Sequence, residues 1–219
     1  MIPWRTVATV STKEGELQLR RRGERDFLIV IDGRVLMTSS ERRSEEALAT
    51  LACAPIVKRT APRVLIGGLG MAYTLRAALD ALPAAAAVVV AELTPEVEIW
   101  CRGELSQLTN AAVADPRVEV RIDDVATIIS TAARGEYDAI ILDLYEGPHA
   151  ATQRPDDPFY GRAALARSHA ALVTGGILAV WSEEPDAGFA RRFTAAGFVV
   201  ATHALGSSRT HVVYVGTRR

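Results

Sequence analysis

Two cysteines, Cys53 and Cys101, are all that the 219-residue chain holds, and they stand far apart. Neither has a second ligand at metal spacing, and the four histidines are scattered, so neither a metal site nor a disulfide framework is expected. Reduced thiols fit a soluble, cytoplasmic protein. No uninterrupted apolar run reaches the ~18 residues of a membrane span, which argues against a helical anchor and a membrane partner. An excess of charge is lacking too. With 25 basic and 26 acidic residues the formal net charge is −1, so no global field draws in nucleic acid. The opening stretch MIPWRTVATVSTKEG has no basic end followed by an apolar segment, so no signal peptide is expected. What the chain does have is 49% hydrophobic residues, enough for the core of one domain of ordinary size plus an appendage.

The first forty residues carry short β-type runs at Thr6–Val10, Glu16–Arg20, Phe27–Ile31 and Arg34–Met37. Between the last two lies Asp32-Gly33, a two-residue hairpin signal, because both positions tolerate positive φ. A small antiparallel sheet of two to four strands is expected. Arg20, Arg21, Arg22 and Arg25 cluster near one turn, either as a solvated tip or facing an acidic partner. Ser39 or Ser40 is placed to cap a helix running through Glu45, Glu46, Leu48 and Leu51 to about Cys53. Pro55 and Pro62 bracket a linker. The expected organisation is a hairpin domain at 1–38, a helix and linker at 39–62, and a large domain at 63–219.

The large domain opens with RVLIGGLGMAYTLR, Arg63 to Arg76. An apolar run stops at Gly67, Gly68 and Gly70, and a helix-forming stretch follows at once. Glycines let the backbone turn sharply and approach a ligand, and the helix start behind them offers free N–H groups. Glu92 closes the next apolar run, AVVVA. An acid about 20 residues beyond a glycine turn, at the end of the second strand, is placed to accept hydrogen bonds from a ribose. Tyr73 stands where a dinucleotide fingerprint has its third glycine, so the turn does not read as one for nicotinamide cofactors. Further strands are expected near 118–121, 139–143, 177–181, 199–203 and 211–215. Helices are expected near 71–82, 95–109, 124–134, 159–173 and 187–196. Such alternation demands a mostly parallel, doubly wound sheet with helices on both faces. The link Ala204–Thr210 is too short for a right-handed crossover, so the last two strands should be antiparallel. Seven strands ending in that hairpin are the pattern of the class I methyltransferase-like (Rossmann-like) fold.

In an open parallel sheet, ligands bind beyond the carboxyl ends of the strands where strand order reverses. Those ends carry Gly67–Gly70, Glu92, Asp123 with Asp124, and Asp143. Asp123 or Asp124 could equally cap the helix behind it. A carboxylate at the mouth of a buried strand, as Asp143 after AIIL, is costly unless paired or wet. Tyr145 and Glu146 follow closely enough to share its pocket, in a Pro- and Gly-rich loop that is a candidate gate. Glu183 and Glu184 bring two more carboxylates to the rim, as a helix N-terminus enriched in acid or as a cation-binding wall.

On these residues the chain resembles the spermidine synthase (polyamine aminopropyltransferase) family, from the hairpins to Trp181. The glycine segment GGLGMAYTLRA is similar to the family's GGGDGG-x-LRE. Asp143-Leu144-Tyr145-Glu146-Gly147-Pro148 stands at its D-x-x-D-P loop, and Phe159-Tyr160 through Gly175-Gly176-Ile177-Leu178 at its FY…PGG-x-L run. The resemblance implies Glu92 as ribose acid, Asp124 as adenine contact with Asp123 its neighbour, and Asp143 as amine-binding group and base. It implies Tyr145 and Glu146 beside that base, Glu45 and Glu46 at the position of a polyamine-binding YHE stretch, and a homodimer. There are departures: the acid within the glycine turn is replaced by Gly70 or absent, and Ser44 opens the YHE counterpart.

Transfer from a sulfonium donor needs alignment of the nucleophile and removal of one proton when an amine attacks. The reading that follows is aminopropyl-type transfer from S-adenosylmethionine or its decarboxylated form to a small amine, without a metal. The missing turn acid keeps open a methyltransferase on the same scaffold. A non-catalytic nucleoside-binding module is the third reading.

Overall fold

The computed structural model describes residues 2–145, 147–149, 152, 154–205 and 211–219. The N-terminal runs form a meander of four strands, β1 (Arg5–Thr12), β2 (Gly15–Arg22), β3 (Asp26–Ile31) and β4 (Arg34–Thr38). Their order is sequential and every pair is antiparallel. Asp32 and Gly33 take φ of 45° and 81° between the paired Ile31 and Arg34, as a two-residue hairpin requires. Leu17, Leu19, Phe27 and Ile29 alternate onto one face and share a core with the rest of the chain.

The arginine-rich tip has Arg21 and Arg25 exposed, yet it finds partners in the same chain. Arg21 pairs with Glu104 at 2.7 Å, Arg25 donates to the Gln107 carbonyl, and the Gln107 amide donates to the Glu24 carbonyl. The acidic partner is thus supplied by the same chain. These contacts tie the small sheet to the 3₁₀ turn Ser106–Leu108.

Helix α1 spans Arg43–Cys53 and packs Leu48, Ala49, Ala52 and Cys53 into the shared core. It begins later than the serines suggest, and neither caps it. Ser39 Oγ accepts the Phe27 N–H and donates to the Arg25 carbonyl, so it is spent on β3. No side chain caps the helix; Glu45 and Glu46 in its first turn complement its dipole instead.

The second sheet has β5 (Arg63–Gly67), β6 (Ala87–Glu92), β7 (Val118–Ile122), β8 (Tyr137–Leu142), β9 (Leu172–Ser182), β10 (Phe198–Leu205) and β11 (His211–Arg218). Its order is β10-β11-β9-β8-β5-β6-β7. Strands 5 to 9 are parallel, while β11 runs antiparallel to both β9 and β10. This is the seven-stranded, mostly parallel methyltransferase-like sheet that the alternation demands. The helices are α2 (Tyr73–Ala81), α3 (Pro95–Arg102), α4 (Val125–Thr131), α5 (Arg162–Ala171) and α6 (Ala187–Ala195). Val64, Leu65 and Ile66 of β5 are all buried because helices cover both faces.

All five helices of this domain are shorter than their sequence patterns, and α5 gives way to β9 at Leu172, within the range expected to be helical. α2 starts two residues late, since Gly70 and Ala72 adopt left-handed φ of 50° and 63° and prolong the turn. α3 stops at Gly103, a residue with no side chain to hold the helix, and the chain continues in short 3₁₀ turns. Among the described residues no helix is long and apolar enough to cross a membrane.

Candidate active site

Strand order reverses between β5 and β8, which leave in opposite directions from the middle of the sheet. A crevice opens there by topology alone. The glycine turn follows β5, and Asp143 is the first residue after β8. The two are in backbone contact: the Asp143 N–H donates to the Gly67 carbonyl at 2.9 Å, and Gly68 lies against the Asp143 carbonyl oxygen. Gly68 itself donates to the Ala91 carbonyl on β6. The turn is thereby fixed to the strands on either side.

Glu92 ends β6 and reaches back to the turn. One of its oxygens accepts the Leu69 N–H at 3.0 Å, the other the Thr94 N–H at 2.9 Å. Burial holds its carboxyl above the ordinary range, against the backbone N–H groups that pull it down. The same acid that suits a ribose therefore also shapes the glycine turn. Glu92→Gln places an NH₂ group where an N–H must be accepted. The expected result is a loss of ~1–3 kcal/mol in urea unfolding together with weaker nucleoside binding by calorimetry. Unchanged stability would show that the turn holds without the carboxylate.

At the end of β7, Asp123 is exposed and accepts the Asp124 N–H, while its own N–H donates to the Glu92 carbonyl. Asp124 caps α4 by accepting the Ala126 N–H at 2.8 Å. Capping is therefore realised, and it directs the Asp124 carboxylate to the strand-end side of α4. The Cys101 thiol donates to the Gly70 carbonyl at 3.2 Å, and burial raises it to about 12, so it is an inert packing group.

Asp143 is the most perturbed carboxylate of this edge. Its side chain accepts the hydroxyl of buried Thr74, in the first turn of α2, at 2.5 Å. Burial pushes its pKa up to about 7; the Glu45 carboxylate adds to the rise and the Thr74 hydrogen bond opposes it. The charge of Glu45, on α1, is thus felt at Asp143, and its own carboxylate accepts the Ser44 hydroxyl at 2.7 Å. Glu46, the next residue, turns away and pairs with Arg42 at 3.1 Å. Of these two glutamates, Glu45 is the one whose charge acts on Asp143.

Tyr145 is exposed, with the Arg34 guanidinium 5.0 Å from its ring centre, so β4 reaches the loop after β8. Glu146 lies outside the described residues. Glu183 is partly buried and Glu184 exposed beyond β9, where the Ser182 hydroxyl donates to the Glu184 and Pro148 carbonyls. This tethers the loop after β8 to the end of β9. Among the described residues no group of three or more His, Cys, Asp or Glu is placed to hold a metal ion.

Three neighbours of the site escaped the sequence reading. Thr74 sits inside a helix-forming stretch where nothing local marks it as a partner for a residue 69 positions away. Met37 lies against Gly70, with its sulfur 2.5 Å from where a Cβ would stand. Tyr160 belongs to the Phe159-Tyr160 pair, a motif that marks a position but gives no role.

Comparison with known proteins agrees with this fold. No model of a known family matches the chain. Polyamine aminopropyltransferases of Mycobacterium tuberculosis and Mycobacterium bovis are 31% identical over 177 residues, which is 78% of this chain. The match spans only 31% of the length of those relatives. Among solved structures, the spermidine synthase of Thermotoga maritima superposes with a TM-score of 0.78 at 21% identity, over 98% of this chain and 73% of that one. A spermidine synthase in complex with the transition-state analogue AdoDATO gives 0.76 at 20% identity, with the same coverage. A probable spermidine synthase from Corynebacterium glutamicum gives 0.67 at 18%, over 96% and 79%. The fold is that of the methyltransferase-like αβ class. Within it, the chain is spermidine synthase-like in sequence and in architecture.

Proposed function

We propose that the chain is a transferase that moves an aminopropyl-type group from decarboxylated S-adenosylmethionine to a small amine. The observation that carries this reading is the Asp143 carboxylate, enclosed at the strand-order reversal, held by Thr74 and raised further by the charge of Glu45. Two carboxyl groups near enough to act on one another suit a cation, and one with a pKa of about 7 suits a base working near neutrality. The relatives' names point to the same chemistry.

In this reading Gly67, Gly68 and Gly70 let the backbone approach the nucleoside, with Glu92 on the ribose and Asp123 and Asp124 beside the adenine. Asp143 and Glu45 hold the acceptor's ammonium, and Asp143 takes one proton from it. The freed nitrogen attacks the carbon next to the sulfonium, the carbon–sulfur bond breaks, and the electron pair leaves with sulfur as the neutral thioether methylthioadenosine. Tyr145, Glu146, Glu183 and Glu184 stand at the rim. Catalysis is then largely alignment, because the sulfonium is already an activated leaving group. A homodimer and a cytoplasmic setting belong to the same proposal.

One observation favours a second reading, methyl transfer from S-adenosylmethionine. The turn presents Leu69 and Gly70 with the Met37 thioether against them, and so offers no carboxylate to a donor's ammonium tail. The test is direct. The protein is incubated with a diamine and either donor, and products are read by mass spectrometry. Aminopropyl transfer from the decarboxylated donor is expected. Methyl transfer without it would favour the second reading, and calorimetry showing that neither donor nor methylthioadenosine binds would leave a non-nucleoside scaffold.

A further inference from the structure

Four of the five tyrosines in the chain are buried, and three of their hydroxyls are accounted for. Tyr73 donates to the Ser39 carbonyl, Tyr214 shares hydrogen bonds with the Asp186 backbone, and Tyr137 bonds the Glu136 side chain. The fourth is Tyr160. It is 3% exposed, and among the described residues its hydroxyl is the one buried hydroxyl with no hydrogen-bond partner. A buried hydroxyl without a partner is costly, and native folds rarely keep one without a use.

The ring is held firmly. Asp157 accepts the N–H groups of Tyr160 and Phe159 at 2.7 and 3.0 Å, and Phe189 meets the ring edge-on at 5.7 Å. Tyr160 belongs to the buried cluster that also holds Leu142, the last residue of β8, and Val180 near the end of β9, and its ring partner Phe189 lies in the first turn of α6, directly after β9. It therefore lies at the end of the sheet where Asp143 emerges. Burial above all keeps the phenol protonated and neutral, and the charges of Asp157 and then Asp143 act in the same direction. A neutral phenol has a lone pair for a cationic N–H and a proton to donate.

We propose that Tyr160 is a contact for the acceptor amine, its oxygen taking one N–H of the amine whose charge Asp143 holds. This rests on the amine-transfer reading above. The unsatisfied hydroxyl of the unliganded protein is then a site held ready for the substrate.

The probe is 1,4-diaminobutane, titrated by calorimetry into protein saturated with 5′-methylthioadenosine. Tyr160→Phe keeps the ring and its packing. The expected result is diamine binding ~10-fold weaker than wild type, with nucleoside affinity unchanged and a melting temperature equal or higher. In turnover the KM for the amine should rise more than kcat falls. Equal diamine affinity in the two proteins would overturn the proposal. So would a lower melting temperature with loss of nucleoside binding, which is the signature of a purely structural hydroxyl. A wild type that binds the nucleoside but no diamine would instead remove the acceptor reading itself, and Tyr160's role with it.

Discussion

Asp143→Asn is expected to lower turnover by roughly 10²–10⁴-fold, the range of a lost general base, while nucleoside affinity stays within a few-fold. The asymmetry follows from placement. The Asp143 backbone supports the glycine turn through the Gly67 carbonyl, but its side chain bonds Thr74 and feels the charge of Glu45. Loss of nucleoside binding in the variant would make the carboxylate a donor contact or a structural group. Undiminished turnover would remove it from the chemistry.

The same substitution should make the protein more stable at neutral and higher pH. A carboxyl group whose folded pKa lies above its unfolded value favours the fold fully below the unfolded value, and that contribution is lost as pH rises through the folded one. For Asp143 the window runs from about 3.8 to about 7. Above it, wild type carries a penalty of up to ~4 kcal/mol that the amide does not, and the gap should close by about pH 4. Urea unfolding at pH 4 and pH 8 measures both ends. Glu45→Gln is the companion variant. Removing the neighbouring negative charge should move the acid limb of the activity profile to lower pH, and a stationary limb would separate Glu45 from Asp143.

Much of the scaffold was legible because its signals are local. Val64 to Ile66 followed by three glycines in four residues reads as strand and turn whatever surrounds it, and Asp32-Gly33 names its own hairpin. The short Ala204–Thr210 link dictates an antiparallel pair by geometry alone. The placement of Glu92, Asp124 and Asp143 at successive strand ends follows from that alternation. What was not legible depends on which groups meet in space. Glu45 and Glu46 are adjacent and chemically alike, yet one accepts the Ser44 hydroxyl and acts on Asp143 by its charge while the other pairs with Arg42. Ser39 looks like a helix cap until β3 claims its hydroxyl. The arginines at the hairpin tip look solvated until Glu104 and Gln107 arrive from a later turn. Thr74 and Tyr160 gain their interest only from the neighbours that the fold gives them, a partner in one case and none in the other.

Gly68→Ala should be among the most damaging single-methyl changes in the chain. Gly68 has φ +90°, where an L side chain is strained by ~1–2 kcal/mol, and the added carbon would overlap the Asp143 carbonyl oxygen. That oxygen is backbone at the end of a buried strand, so it cannot swing aside, and the overlap should add ~1–3 kcal/mol. The only relief is to part β5 from β8 at the strand-order reversal, which would displace the turn proposed to meet the nucleoside. Unfolding should show the combined loss of ~2–5 kcal/mol, and calorimetry should show no methylthioadenosine binding. Gly70→Ala is the control that separates strain from collision. Its φ is +50°, and the obstacle is the far end of the flexible Met37 side chain. It should cost only ~1–2 kcal/mol, and Met37→Ala in the same protein should relieve the steric part while leaving the backbone strain. If Gly68→Ala instead folds at wild-type stability and binds the nucleoside, the β5–β8 junction yields freely. The rigid floor on which Asp143 and the glycine turn are aligned would then not exist.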